Sequence, residues 1–415
     1  MTVGCDLDRR YRLMVYNPRR KERPMKVLVV GAGISGPTLA HWLLRSGHQV
    51  TLVEQAPALR RGGYIVDFWG AGFDVAERMG IVPELRRRGY AFMEARAVDR
   101  DGRRVASIRP GSILGGSGRY VSIARSALAS VIFASLDGHA ELILDDTVDA
   151  IVDEEQHVRV DFASGRHGTF DLVVGADGLH SRVRRLVFGP EEQYATSLDM
   201  VVAAFEATGY TPRDELIAIM HADVGFQALR VSLRDDTTLF LLSVRHEGAV
   251  PLDDRAAQQA LLRSRLSGAG WEVPRILDLM EDAESLYFDA VSQIRMPRWT
   301  RGRVALVGDA AACPSFLAGQ GSALAMVEAY TLGAELARSD DHRLAFARYE
   351  DRLGSFLRSK QDAAVGMATA FAPRSRLQLL VRNSVMKVMG LPKVADLAMG
   401  RSFRDAIELP AYDAA

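Results

Sequence analysis

The sequence predicts an α/β protein: a parallel-sheet domain interrupted by a largely antiparallel sheet and followed by a helical C-terminus. Three observations carry that expectation. A run of mostly β-branched residues, Val27 to Val30, leads through a glycine loop into a helical stretch and a second apolar run, the order of a strand–helix–strand unit. Between Leu198 and Val244, strand-like stretches follow one another with turn signals instead of helices between them. From Gly321 onward the apolar spacing is helical.

In chain order, Lys26–Val30 reads as a buried strand and Gly36–Ser46 as a helix that Gly47 ends. Gln49–Val53 is the second strand, closed by Glu54. Gly62, Gly63, Gly70 and Gly72 mark a loop-rich passage, followed by helices over Gly72–Arg88 and Ser126–Leu136. Leu142–Val152, Val158–Phe162 and Phe170–Gly175 read as strands. The antiparallel set is Leu198–Ala207, Leu216–His221, Phe226–Leu233 and Thr238–Val244, with Arg234-Asp235-Asp236 as a turn. Helices at Asp254–Ser267 and Val273–Glu281 precede a return to a buried parallel strand, Val304–Val307. The tail carries helices at Leu324–Leu336, Leu344–Lys360 and Leu377–Met389, the last broken at Leu391-Pro392. The expected division is a discontinuous domain over 25–197 and 285–372, an inserted sheet domain over 198–284 and a helical segment over 373–415. Residues 1–24 are basic and lack an apolar core, so they read as a disordered arm or upstream start rather than a secretory signal.

Composition narrows the function classes. Among 415 residues, 52 Lys and Arg balance 52 Asp and Glu, which removes the electrostatic reason to expect a nucleic-acid partner. No run reaches the ~20 apolar residues of a membrane helix. The two cysteines, Cys5 and Cys313, match no metal-ligand spacing, so no metal is expected and Cys313 reads as a buried, inert thiol. This usage fits a reducing, cytoplasmic setting.

Three strand-end motifs carry the chemistry. Gly31-Ala32-Gly33-Ile34-Ser35-Gly36 lies between strand and helix, where Gly31 permits the turn, Gly33 close approach to a pyrophosphate and Gly36 helix packing. The helix N-terminus offers free N–H groups to phosphates, and Glu54 follows at the spacing of the acid that takes ribose hydroxyls. The second motif is a strand ending at Gly175-Ala176-Asp177-Gly178, followed by Ser181, Arg182 and Arg184. The third is a strand ending at Gly308-Asp309, with a Gly319-Gln320-Gly321 turn opening a helix whose N–H groups can face an anion. Singly, each has a bland reading as a cap or plain turn. Together they point to a bound dinucleotide.

This set resembles that of the flavin-dependent aromatic hydroxylases, the para-hydroxybenzoate hydroxylase type of class A FAD monooxygenase, and is similar to the monooxygenases that inactivate tetracyclines. The match spans Lys26 to Glu350. The resemblance implies a Rossmann-like FAD-binding domain of the GR2 type, with FAD as cofactor and NAD(P)H and molecular oxygen as co-substrates. It implies oxygenation of an aromatic or polycyclic small molecule, specialised metabolites being one candidate class, through a flavin C4a-hydroperoxide. The alternative on the same fold keeps FAD for structure or for non-oxygenating chemistry such as cyclisation. By the resemblance, Gly31, Gly33, Ser35 and Gly36 surround the pyrophosphate, Glu54 the adenosine ribose, and Arg125 contacts the cofactor. Asp177 and Gly178 serve FAD and NAD(P)H, and Gly308 and Asp309 the ribityl chain. Pro314, Gly319, Gln320 and Gly321 lie against the isoalloxazine. Ala312 and Ala323 depart from the family's usual histidine and asparagine, and the proline register is shifted by one.

No histidine or carboxylate stands out as a catalytic base. The substrate is expected between flavin and inserted sheet, with Met220, Phe226, Gln227, Leu229 and Phe240 as candidate lining residues and a largely apolar cavity. For Leu377–Met389, docking onto the enzyme body is the first reading and a membrane-surface helix the second.

Overall fold

The computed structural model describes residues 24–59, 64–109, 118–390, 405 and 407–412. The expected N-terminal arm, Cys5, Gly62, Gly63 and the Leu391-Pro392 break lie outside the described residues. The first half of the chain forms β1 (Lys26–Val30), α1 (Ser35–Arg45), β2 (Gln49–Glu54), β3 (Ile65–Trp69), α2 (Ala71–Arg78), α3 (Val82–Arg88), β4 (Glu94–Val98) and β5 (Arg104–Ile108). It continues with β6 (Tyr120–Ala124), α4 (Arg125–Ala134), β7 (Glu141–Leu144), β8 (Val148–Asp153), β9 (Val158–Phe162), β10 (His167–Phe170), β11 (Leu172–Gly175) and α5 (Arg182–Val187). Then come β12 (Ala195–Thr208), β13 (Ile217–Asp223), β14 (Phe226–Ser232), β15 (Thr237–Arg245), α6 (Arg255–Leu266), α7 (Val273–Asp282) and β16 (Tyr287–Ile294). The chain returns through β17 (Thr300–Arg301), β18 (Val304–Leu306) and α8 (Asp309–Ala312) to the helices α9 (Gly321–Arg338), α10 (His342–Phe371) and α11 (Arg376–Met389).

The cofactor-side sheet has the order β17-β18-β11-β1-β2-β7 and is parallel except for β17. Its central strands are buried on both faces, so they read as continuous apolar runs. All three motifs sit at the carboxyl ends of adjacent strands, β1, β11 and β18. Parallel pairing brings them to one edge of the sheet, where open α/β sheets bind ligands.

The second sheet is larger than the inserted segment. Its order is β16-β12-β15-β14-β13-β4-β5, so β4, β5 and β16 join it from outside 198–284. β4 pairs in parallel with β13, a strand more than a hundred residues away, and local pattern carries no sign of such a partner. Two further boundaries differ. The expected helix Gly72–Arg88 is two helices, parted where Gly80 takes φ +73. The expected strand Leu142–Val152 is two strands in separate sheets. Between them Asp145 takes φ 57, and the Asp146 carboxylate holds the turn through the Thr147 and Ser164 backbone N–H groups and the Ser164 hydroxyl.

The C-terminal segment returns to the cofactor-side domain. Asp405, with its side chain 4% exposed, accepts from the Ala71 N–H at 2.7 Å and pairs with Lys360 Nζ at 2.5 Å. Lys360 also donates to Gln320 Oε1 at 3.0 Å, so the tail braces the turn that opens α9. Tyr412 packs on Trp42 with ring centroids 4.5 Å apart. Asp405→Ala leaves a lysine and a helix N-terminus without their anion. It is expected to cost about 2 kcal/mol, the worth of a charged hydrogen bond in a shielded place. A urea melt of the apoprotein checks this.

Candidate functional site

The glycine loop sorts its residues into two jobs. Gly31 takes φ +105, and a Cβ there would lie 2.5 Å from the Ala176 carbonyl oxygen. A Cβ on Gly36 would lie 1.9 Å from the Gly31 carbonyl oxygen. The fold itself therefore requires both glycines, at the contacts between β1, β11 and α1. Gly33 differs, because nothing lies within 4 Å of a Cβ added there, and it lines the main cavity beside Ser35. Glu54, at the end of β2, accepts from the Ala32 N–H at 2.9 Å and the Ala56 N–H at 3.0 Å. Its carboxylate thus sits at the base of the loop, with lone pairs left over for a hydroxyl.

In the second motif Asp177 turns away from the cavity. Its carboxylate accepts from Ser181 Oγ at 2.5 Å and the Val183 N–H at 3.0 Å, which ties down the start of α5. Gly178 and Leu179 line the cavity instead. Arg184 is fully buried and donates to the carbonyls of Leu179 (2.6 Å) and Ala310 (3.1 Å) and to Glu191 (2.6 Å). It bolts the second motif to the residue that follows Asp309.

His180 links the segment after α5 to the second sheet, with Nδ1 2.9 Å from Glu191 and Nε2 3.3 Å from Asp289 of β16. Hydrogen bonds to Asp289 and then Glu191 push its pKa up to about 10. The folded pKa lies above the unfolded one, so the imidazolium's contribution is fully present below about pH 6.5 and fades as pH rises toward 10. The ring is about half exposed, and solvent screening keeps the effect small. Expected outcome: His180→Gln flattens the loss of thermal stability between pH 7 and 10, seen in melting curves across that window.

The third motif is held from behind. Gly308, at φ +67, donates its N–H to Glu328 Oε2 of α9 at 2.8 Å. Two buried glutamines fix the following loop: Gln293 donates to the Pro314 and Gln361 carbonyls, and Gln361 to the Ile294 and Cys313 carbonyls. Pro314 is thereby placed with its carbonyl toward β16, while its neighbours Cys313 and Ser315 face the cavity. Ser315 takes φ +89, a strained value for a non-glycine residue and of the kind that gathers at functional sites. Gly319 is left-handed at φ +63, and Gly321 opens α9 with Asp309 Oδ1 3.9 Å from where its Cβ would be. Gln320, by contrast, is buried against Lys360. Asp309 is half-buried at the cavity wall, and desolvation there raises its pKa, opposed by the Arg125 charge and by a hydrogen bond with Cys313. A shielded carboxylate beside a cavity, with no ion pair at 4 Å among the described residues, is suited to accept hydrogen bonds from a ligand's hydroxyls. Burial likewise pushes the Cys313 thiol well above its ordinary range, which keeps it protonated.

One cavity of about 850 Å³ joins these loops to the second sheet. Gly33, Ser35, Arg125, Gly178, Asp309, Gly319 and Gly321 lie at its cofactor-side wall, and Met220, Gln227 and Leu229 at its sheet wall. Phe226 and Phe240 are not there, and the expectation for both is corrected. Side chains alternate along a strand, so the neighbours of Gln227 and Leu241 point to the opposite face. On that face Phe226 and Phe240 pack with Phe205 and Tyr210 beneath α6 and α7. Sequence reasoning missed Tyr64, Phe316 and Tyr287, an aromatic wall with ring centroids 5.3–5.4 Å apart, and Asp289 on the unrecognised strand β16. The alternation in Tyr287–Ile294 was the available signal. The helix α11 also walls the cavity, packing against β5 and β13, which is the docked arrangement of the two readings given above. Among the described residues there is no group of His, Cys, Asp or Glu suited to a metal, and no helix long and apolar enough to cross a membrane.

The geometry defines a dinucleotide-binding α/β protein whose cofactor edge opens onto a second ligand space. The FAD binding domain family matches residues 24–341. A flavin-dependent monooxygenase from an unidentified prokaryote is 35% identical over 394 residues, covering 93% of this chain and 99% of the relative. Another from Legionella longbeachae is 32% identical over 94% and 98%. Among solved structures, tetracycline destructase Tet(55) matches with TM-score 0.80 and 32% identity, over 94% of this chain and 99% of that one. Klebsiella pneumoniae HpxO complexed with FAD and uric acid has the same fold, with TM-score 0.76 and 20% identity over 91% and 96%. The chain belongs to the FAD-binding family of flavin-dependent, class A monooxygenases.

Proposed function

We propose that this protein uses NAD(P)H and molecular oxygen to oxygenate an aromatic or polycyclic small molecule. The observation that carries the reading is the single cavity running from the three cofactor motifs to an apolar sheet face. The residues present fit FAD. Gly33 leaves open the space a pyrophosphate needs, the N-terminus of α1 points its N–H groups there, and Glu54 stands beside the loop for a ribose. Asp309 offers a half-buried carboxylate to the ribityl hydroxyls, and Arg125 adds a positive charge on the same wall. The N-terminus of α9 at Gly321 favours negative charge at the flavin's pyrimidine edge. When bound, FAD supplies the redox chemistry and oxygen activation, while the protein binds, orients and excludes water. Tyr64, Phe316 and Leu229 make the space beside the cofactor apolar, and α11 shields it from the solvent side. Flat aromatic or polycyclic molecules suit such walls.

The test supplies the FAD-loaded protein with NAD(P)H, labelled dioxygen and a panel of phenolic and polycyclic compounds, and follows products by mass spectrometry. One labelled oxygen atom in a product supports the reading. Turnover of a compound without label in the product would favour the non-oxygenating alternative.

A further inference from the structure

The sheet wall of the cavity holds a cation with no anion. Arg382, in the middle of α11, reaches the cavity beside Gln227 and Met220. Its Nε donates to the Ala370 carbonyl at 2.7 Å, Nη1 to Asn383 Oδ1 at 3.1 Å and Nη2 to Gln227 Oε1 at 2.6 Å. Every one of these acceptors is neutral, and no carboxylate lies within 4.0 Å among the described residues. The fully buried arginines among the described residues are paired, Arg184 with Glu191 and Arg230 with Asp214 and Glu272, whereas the half-buried Arg382 is not. Three of the cavity's carboxylates are engaged elsewhere, Asp289 with His180, Glu94 with Arg96, and Asp67 with Tyr120 and Ser122, and the remaining one, Asp309, lies on the cofactor-side wall.

Burial pulls the Arg382 pKa down to about 10, which still leaves a full charge at neutral pH. A half-buried cation held only by neutral acceptors is incompletely compensated, and a ligand anion would complete its pairing. Gln227 sharpens the site. Its oxygen is committed to Arg382, so its amide N–H groups are the free end of a side chain that lines the same wall. A guanidinium and an amide donor side by side form a receptor for a planar oxyanion.

Given that this cavity is the substrate site, we infer that the substrate is an acidic aromatic molecule whose oxyanion, a carboxylate, phenolate or enolate, seats on Arg382 and Gln227. Arg382 is then a specificity-determining residue contributed by the C-terminal helix. It fixes which end of the substrate faces away from the cofactor loops, because the opposite wall carries Asp309 and would repel the same group.

The test uses FAD-loaded protein and two neutral-shape twins, anthraquinone-2-carboxylate and anthraquinone-2-carboxamide, titrated against flavin fluorescence. Wild type is expected to bind the carboxylate at least about tenfold more tightly, the least a charged hydrogen bond is worth. Arg382→Gln, checked for unchanged FAD content and melting temperature, is expected to lose that preference while holding the carboxamide within about twofold. Arg382→Lys should restore part of it. Equal affinity of wild type for both probes, or equal losses for both in Arg382→Gln, would overturn the inference. Binding of neither probe would overturn it together with the assignment of this cavity to substrate. Reduction of the flavin by NAD(P)H, measured separately, reports on the monooxygenase reading alone.

Discussion

Gly33→Ala is expected to yield a folded protein that has lost FAD, whereas Gly36→Ala, three residues on, is expected not to fold. Both glycines belong to one motif, but their surroundings differ. A Cβ on Gly36 meets the Gly31 carbonyl oxygen at 1.9 Å, backbone against backbone, where no side chain can rotate away. The strain falls on the packing of α1 against β1, beneath which Leu28 and Leu39 are fully buried, and its cost should exceed about 3 kcal/mol. A Cβ on Gly33 meets nothing within 4 Å and its φ lies outside the left-handed region, so the apoprotein has no reason to object. The methyl group occupies the space left for a phosphate and displaces it from the α1 N-terminus. FAD affinity should fall on the order of a hundredfold, near 2.7 kcal/mol. Circular dichroism and melting curves of the apoproteins, with FAD titrations, check both halves. A Gly33→Ala protein that copurifies with full FAD would show that the pyrophosphate lies elsewhere.

Asp309→Asn is expected to move stability and cofactor affinity in opposite directions. Burial raises the carboxyl's pKa in the folded apoprotein. With the folded value above the unfolded one, folding is favoured by protonation, and stability falls as pH rises from about 4, the unfolded value, toward the folded one. Asparagine has no charge to desolvate, so the apo variant at neutral pH should be more stable than wild type and its acid-to-neutral profile flatter. With FAD the sign reverses. On the proposed reading the carboxylate accepts ribityl hydroxyls, and its replacement by a weaker acceptor is expected to cost about 1.5–3 kcal/mol, or ten- to hundredfold in affinity. Thermal melts of apo and FAD-loaded forms from pH 4 to 8 separate the two effects. Equal apo stability with undiminished FAD affinity would remove Asp309 from the cofactor site.

The parts legible in sequence are those whose signal is local. Each strand-end motif announces itself within a short stretch of sequence, and parallel pairing then does the assembly. The rest depends on distant partners. β4, β5 and β16 are short, mixed strands that make sense only once β13 and β12 lie beside them. Phe226 and Phe240 were chosen as apolar residues in the right strands, but one residue of register separates the cavity face from the core face. Asp177 shows a different ambiguity, since an acid that caps a helix and an acid that binds a ligand look alike in one dimension, and here it caps α5. Arg382 could not be read at all as a site residue. On a helix with Lys and Arg at intervals it resembles a solvated charge, and only the fold carries it into the cavity.

The proposed function requires a working redox flavin at the cavity edge formed by Gly33, Asp309 and Gly321. The most direct measurement is an anaerobic titration of the purified, FAD-loaded protein with NADPH and then NADH, with and without an acidic aromatic ligand, following visible absorption. The expected result is a yellow protein that bleaches with at least one nucleotide and regains its colour when oxygen is admitted. A protein that cannot be loaded with FAD, or a flavin that stays oxidised under every one of these conditions, would contradict it.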